Sequence, residues 1–169
     1  MFKKICITLV LFSVSFSVVG CGNAVDTKFI GRTAIQKVDD TTIKVLVNPC
    51  GAPMTEIYID NVIPEPPTPR PSEKYSKDIQ LESPKSEEFE LIFPLDPNSP
   101  ESLEIFTQDL GEIRIFTNAR GKDTMSAGVY ATRDEILNLK QGELIIGNHK
   151  ISNYEKFSKC EEMFKDSWF

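Results

Sequence analysis

Short segments in which apolar and polar residues alternate recur along most of this 169-residue chain. In the clearest one, Ile43, Val45 and Val47 occupy every second position, a period that is typical of a β-strand with one buried face. The predicted strands are Phe29–Lys37, Ile43–Val47, Glu56–Asp60, Glu88–Phe93, Leu103–Thr107, Glu112–Thr117, Ala127–Ala131 and Glu143–Ile146. Because turn residues separate them, the pattern predicts a mainly β fold: a single antiparallel sandwich or barrel-like domain of the immunoglobulin-like kind.

Two segments have the pattern of helices. Thr132-Arg133-Asp134-Glu135 is a capping box, in which the first and last side chains each bind the other's backbone N–H. It predicts a short helix near residues 133–139. A second capping box, Ser152-Asn153-Tyr154-Glu155, precedes an apolar stripe at helical spacing and predicts a C-terminal helix over residues 152–164. A final strand over the same residues is the alternative.

Prolines are concentrated in one segment. Five of them fall within eight residues, and mixed charges then continue to residue 88. Because proline fixes φ and cannot donate to a ladder, the segment 64–88 is predicted to be a long solvated loop. A short edge strand around Ile79 and Leu81 is an alternative within it. The Pro-x-x-Pro spacing resembles ligands of SH3-type domains, so the candidate partner-contact residues are Pro64, Pro66, Pro67, Pro69, Arg70 and Pro71.

The cysteines divide into two groups. Cys6 lies inside an apolar leader and Cys21 lies at its end, which leaves Cys50 and Cys160. One remaining pair in an oxidising compartment predicts a disulfide between them, and two separate buried thiols are the alternative. With a single histidine and no Cys-x-x-Cys, the chain lacks the usual zinc ligand set. We therefore predict no metal and no cofactor.

The chain begins with the pattern of an export signal. Lys3 and Lys4 precede the mostly apolar residues 5–19, and a positive segment before an apolar core is typical of a secretory signal peptide. In a helix that core reaches about 22 Å, short of the roughly 30 Å hydrocarbon layer of a bilayer. The sequence therefore predicts a leader rather than a permanent membrane span.

Val18-Val19-Gly20-Cys21 ends this leader and resembles the lipobox of bacterial lipoproteins. The resemblance implies that residues 1–20 are a lipoprotein signal peptide and that Cys21 is lipidated, which anchors the protein to a membrane. Residues 21–28 are then a lipidated tether, and residues 29–169 form one domain on the extracytoplasmic face of the cell membrane or cell envelope. Ordinary cleavage after Ala24, with release of a soluble protein, is the alternative.

The charge of the chain excludes one class of partner. Of its 19 basic residues two lie in the leader, so 17 basic residues face 25 acidic ones after residue 20, a net charge of −8. Nucleic-acid binding needs clustered basic side chains that displace counterions from phosphates. No such cluster is present in the sequence, so we predict no nucleic-acid partner.

Two groups of residues are candidates for catalysis. His149, the single histidine, would be the base of a Ser–His–acid arrangement, but no Gly-x-Ser-x-Gly elbow accompanies it. Glu56, Tyr58 and Asp60 share one strand face, and paired carboxylates can hydrolyse glycosides. Their alternation with isoleucines equally describes the wet side of a half-buried strand.

The sequence therefore predicts no catalytic residue and no enzyme. It favours a lipid-anchored, non-enzymatic binding module that contacts a protein or small ligand. A hydrolase acting on the cell wall, or an inhibitor of a foreign hydrolase, are the alternatives, the second on fold-level analogy alone.

Overall fold

The computed structural model describes residues 28–63, 72–108, 111–119 and 124–160. Strands dominate this part of the chain, and three short helices lie between them. The elements are β1 (Lys28–Asp39), β2 (Thr42–Asn48), β3 (Met54–Ile63), β4 (Ser72–Lys85), β5 (Phe89–Pro94), α1 (Glu104–Thr107), β6 (Glu112–Asn118), β7 (Thr124–Ala127), β8 (Val129–Thr132), α2 (Arg133–Leu137), β9 (Leu144–Ile146), β10 (Lys150–Ser152) and α3 (Tyr154–Ser158).

All ten of these strands belong to one sheet, which curls until it is nearly closed into a barrel. Its main path is β10-β9-β1-β7-β6-β3-β4, while β2 joins β1 to β5 and β8 pairs with β6. The long strand β1 pairs with β2 along one edge, and along the other it pairs first with β7 and then with β9. Among the described strands only β1 and β7 pair in parallel, and a single parallel bridge also joins Tyr130 of β8 to Asn148. The prediction of a mainly β, barrel-like domain is confirmed.

The inside of the curled sheet is filled by aliphatic side chains from alternate strand positions. Cross-strand partners share a face, and the register places Ile59 opposite Ile115 and Ile57 opposite Ile79. Ile57, Ile59 and Ile115 are fully buried. Because side chains alternate with a period of two, a slip of one residue would turn this set outwards. The core therefore fixes the register on which the outer face also depends.

The sheet stays open between β4 and β5. Only three residues separate these strands in sequence, yet β4 pairs with β3 and β5 pairs with β2, and the structure describes no pairing between the two. Helix α1 fills the gap from within: Phe106 is 1% exposed and its ring lies 5.2 Å from that of Phe93. Closure at this point therefore depends on side-chain packing instead of a hydrogen-bonded ladder.

Helix α1 corrects one prediction. A strand over Leu103–Thr107 is wrong, because residues 104–107 form a single helical turn. Ile105 and Phe106 are both buried, an arrangement that a helical turn permits and that an alternating strand does not.

The proline segment is shorter than predicted. A loop over residues 64–88 is wrong for residues 72–85, which form β4 and pair with β3 along most of its length. The alternative edge strand around Ile79 and Leu81 is therefore part of a much longer element. The candidate partner-contact residues, from Pro64 to Pro71, lie outside the described residues.

Both predicted helices are present, and both are short. The helix near residues 133–139 is α2, and its capping box between Thr132 and Glu135 is confirmed. In the described residues the C-terminal helix is the single turn α3, whose cap is Asn153 instead of the predicted Ser152. Phe157 of α3 is fully buried on the outside of the sheet, where it packs with Ala34, Leu46 and Leu144. Each helix of the described residues is too short and too polar to cross a bilayer.

Candidate functional site

Of the predicted site residues, the structure brings the cysteine pair together. The Sγ atoms of Cys50 and Cys160 lie 2.17 Å apart and their Cα atoms 5.5 Å apart, as a disulfide requires. The side chain of Asn48 holds both ends: its amide donates to the Ser158 carbonyl and its oxygen accepts from the Cys50 N–H, each at 3.1 Å. The bond thus ties α3 to the end of β2. The predicted lipidation residue, Cys21, lies outside the described residues.

The alternation suggests that the face of β3 with Glu56, Tyr58 and Asp60 is exposed to solvent, but this face is largely buried. Glu56 is 7% exposed and Asp60 is 5% exposed. Buried carboxylates need partners: Tyr58 supplies one to Glu56, and the neighbouring strand β6 supplies one to Asp60. Its alternate residues Glu112, Arg114 and Phe116 run along the same outer face. We call these six residues of β3 and β6 the outer strip.

An ion pair occupies the centre of the outer strip. Asp60 and Arg114 are cross-strand partners. Nε of Arg114 donates to Oδ1 of Asp60 at 2.8 Å, and Nη2 of Arg114 donates to Oδ2. This two-pronged geometry is the strong form of the guanidinium–carboxylate contact. It engages both oxygens of Asp60, so this carboxylate is not placed to act as a free acid or base.

Aromatic rings and a second carboxylate continue the outer strip. The rings of Tyr58 and Phe116 stack with centroids 5.0 Å apart, and the Tyr58 hydroxyl donates to Glu56. That hydrogen bond, with burial as the second cause, raises the pKa of Tyr58 above its ordinary 10.0. Gly128 lies beside this stack, where an added Cβ would come within 3.1 Å of the Ile115 carbonyl and 3.4 Å of the Phe116 Cβ. Close packing thus fixes these rings in place.

His149 lies at one end of the outer strip, between two carboxylates. Its Nδ1 is 2.7 Å from Oε2 of Glu135, and its Nε2 is 3.4 Å from Oε1 of Glu112. The residue has a φ of 52°, and its backbone N–H donates to the Tyr130 carbonyl at 3.1 Å. Since both ring nitrogens face carboxylates, neither is directed at a hydroxyl or thiol nucleophile among the described residues. Through these contacts His149 links the turn between β9 and β10 to strand β6 and helix α2.

Glu135 serves two purposes at once. It completes the capping box, accepting the Thr132 N–H at 2.7 Å, and the same oxygen contacts His149. Burial opposes ionisation of Glu135, but the hydrogen bonds from Thr132 and His149 outweigh it and hold the pKa of Glu135 below its ordinary 4.5. The carboxylate is therefore stabilised in its charged form.

Replacing Glu135 with glutamine is expected to reduce the loss of unfolding free energy that the protein shows as the pH falls below about 4.5. Because the folded-state pKa lies below the unfolded one, ionised Glu135 stabilises the fold above the unfolded value of 4.5, and that contribution is lost as pH falls through the folded pKa. Urea unfolding between pH 3 and pH 7 measures the effect. Glu155→Gln is the matched control, because Glu155 is 79% exposed. The same acid dependence in Glu135→Gln and the unmodified protein would contradict the assignment.

The outer strip and His149 thus form one continuous polar and aromatic surface. Sequence reasoning singled out Glu56, Asp60 and His149 but missed Arg114 and Phe116. The alternation in β6 predicts their face, yet only the register between β3 and β6 shows what they contact. Within the described residues no group of three or more His, Cys, Asp or Glu side chains is arranged to hold a metal ion. In comparisons with known proteins, no family model, curated protein or solved structure matches this chain.

Proposed function

We propose that this chain is a lipid-anchored lipoprotein of the cell envelope, whose barrel-like domain is a non-enzymatic binding module on the extracytoplasmic side. The observation that carries the proposal is the leader that ends in Val18-Val19-Gly20-Cys21. Two or more acyl chains on one cysteine hold a protein firmly, at about 0.8 kcal/mol for each buried methylene. The Cys50–Cys160 pair supports an oxidising location, since structural disulfides are rare where glutathione keeps thiols reduced.

We favour binding over catalysis because the side chains that could act as acids or bases already contact other side chains of the protein. Asp60 is held by Arg114, Glu56 accepts from Tyr58, and His149 lies between two carboxylates. General acid–base catalysis needs a group that can reach a substrate proton, and these groups are committed to one another. Tyr, Phe and Arg side chains are instead enriched at contact surfaces.

Replacing Cys21 with serine is expected to abolish acylation and to release the domain from the membrane fraction. The sulfur of Cys21 is the atom that would carry the lipid. Residues 21–169 have a net charge of −8, so electrostatic attraction to anionic headgroups would not hold the domain on the membrane. Incorporation of a labelled fatty acid, followed by mass spectrometry of the amino-terminal peptide, measures the modification.

Cys6→Ser is the matched control for this test, because Cys6 lies inside the leader. It should be labelled as fully as the unmodified protein. An unmodified amino terminus at Val25, or a leader that is retained in full, would overturn the proposal.

A further inference from the structure

Strand β4 presents an unpaired edge at the open side of the sheet. It is 14 residues long, and within the described residues it pairs only with β3. Its inward positions Ile79 and Leu81 are half-buried against the core, as are Phe89 and Leu91 on the opposite rim of the opening. An unpaired edge bordered by apolar side chains is a template for the addition of another strand.

A cleft lies beside this edge. It has a volume of about 160 Å³ and is formed by Tyr75, Ser76 and Lys77 of β4 together with Leu103, Glu104 and Ile105 at α1. At roughly 30 Å³ for each water, that volume corresponds to about five waters. This is comparable with the space that one aliphatic side chain occupies. A strand laid along β4 would therefore find a place for an inward-pointing residue.

A buried amide points to the same place. Asn61 is fully buried, and neither polar atom of its side chain has a hydrogen-bond partner among the described residues. It lies directly opposite Tyr75 in the register of β3 and β4, on the inner face of the sheet. Buried amides are nearly always hydrogen-bonded, so the interior beside Tyr75 retains unused hydrogen-bonding capacity.

The negative charge around the opening indicates which kind of added strand would be attracted to it. Residues 76–90 contain five acidic and two basic side chains, and the outward positions of the two rims carry Asp78, Glu82 and Glu90. A second copy of this chain would place its own acids against them.

Resting on the proposed binding function, we propose that β4 receives an extended peptide of a partner protein, one that alternates apolar and basic residues. The apolar side chains enter the opening between β4 and β5, and the basic ones lie outside, beside Asp78 and Glu82. Backbone N–H and C=O groups of the peptide pair with the edge of β4 that faces away from β3, which adds a strand to the sheet at its opening.

The test uses the purified full chain in detergent and an acetylated, amidated Lys-Val-Lys-Val-Lys-Val-Lys peptide, with binding followed by calorimetry and amide exchange. We expect binding to protect those amides of residues 76–82 that point away from β3. Methylating the peptide nitrogens along one edge should weaken binding about tenfold or more, since a loss of about 1.4 kcal/mol is tenfold, and the Glu-Val counterpart should not bind. Asp78→Lys should weaken binding about tenfold through like-charge repulsion, whereas Glu155→Lys, with the same change of charge on α3, should not.

Equal binding of the methylated peptides would show attraction by charge alone and would overturn the proposal. So would an absence of binding to protein that is shown by circular dichroism to be folded. Neither result depends on the acyl anchor, so failure here is separate from failure of the Cys21 experiment.

Discussion

Replacing Cys50 and Cys160 together with serine is expected to lower the free energy of unfolding by about 4 kcal/mol. The bond closes a loop with a sequence separation of 110, and for loops of that length the chain-entropy model gives roughly 4–5 kcal/mol as an upper figure. It also holds Phe157 over the outer face of β1 and β2. Urea unfolding under oxidising conditions, compared between the two proteins, measures the loss.

Reduction separates this effect from a general effect of the substitutions. A thiol reductant should lower the stability of the unmodified protein by a similar amount and leave the double serine variant unchanged. If the variant and the oxidised protein unfold at the same urea concentration, the bond does not constrain the unfolded chain as described.

Replacing Phe106 with alanine is expected to cost about 3–5 kcal/mol, the range for removing a large aromatic side chain from a packed core. Phe106 is 1% exposed and packs against Phe93 where the sheet fails to close. No ladder between β4 and β5 is described that could compensate for the lost packing. The midpoint of urea unfolding reports the change.

Ile92→Ala is the matched control for Phe106, because Ile92 lies on the neighbouring strand and is 56% exposed. Surface substitutions of this kind usually change stability by less than about 0.5 kcal/mol. Equal losses in the two variants would contradict the role of α1 in closing the sheet.

The sequence predicts the fold well where a strand has one strongly apolar face. Alternation finds β2 and β6 because every second residue of each is buried, and all of these but Thr117 are aliphatic. It misses the extent of β4, since Ile79 and Leu81 are the only aliphatic side chains of that strand and prolines come just before it. It misassigns α1 because Leu103, Ile105 and Thr107 alternate by chance, while burial of the adjacent Phe106 needs a helical turn.

The candidate site is less predictable than the fold, for a physical reason. The disulfide follows from counting, because two cysteines remain once Cys6 is assigned to the predicted leader and Cys21 to the predicted lipid attachment. The contact between Asp60 and Arg114 joins residues 54 positions apart, and it exists only in one register of β3 against β6. Local patterning contains no information on that register, so the burial of Asp60 could not be anticipated.

Strand β1 has a consequence for when the domain can fold. Along one edge β1 pairs with β7, which begins at Thr124, and with β9, which ends at Ile146. The first of the described strands therefore completes its pairing only with strands that are synthesised late. Pairings between residues so distant in sequence form slowly, because a long segment of chain must close before their contacts are made. Completion of the sheet along this edge of β1 therefore requires residues from almost the whole of the described chain.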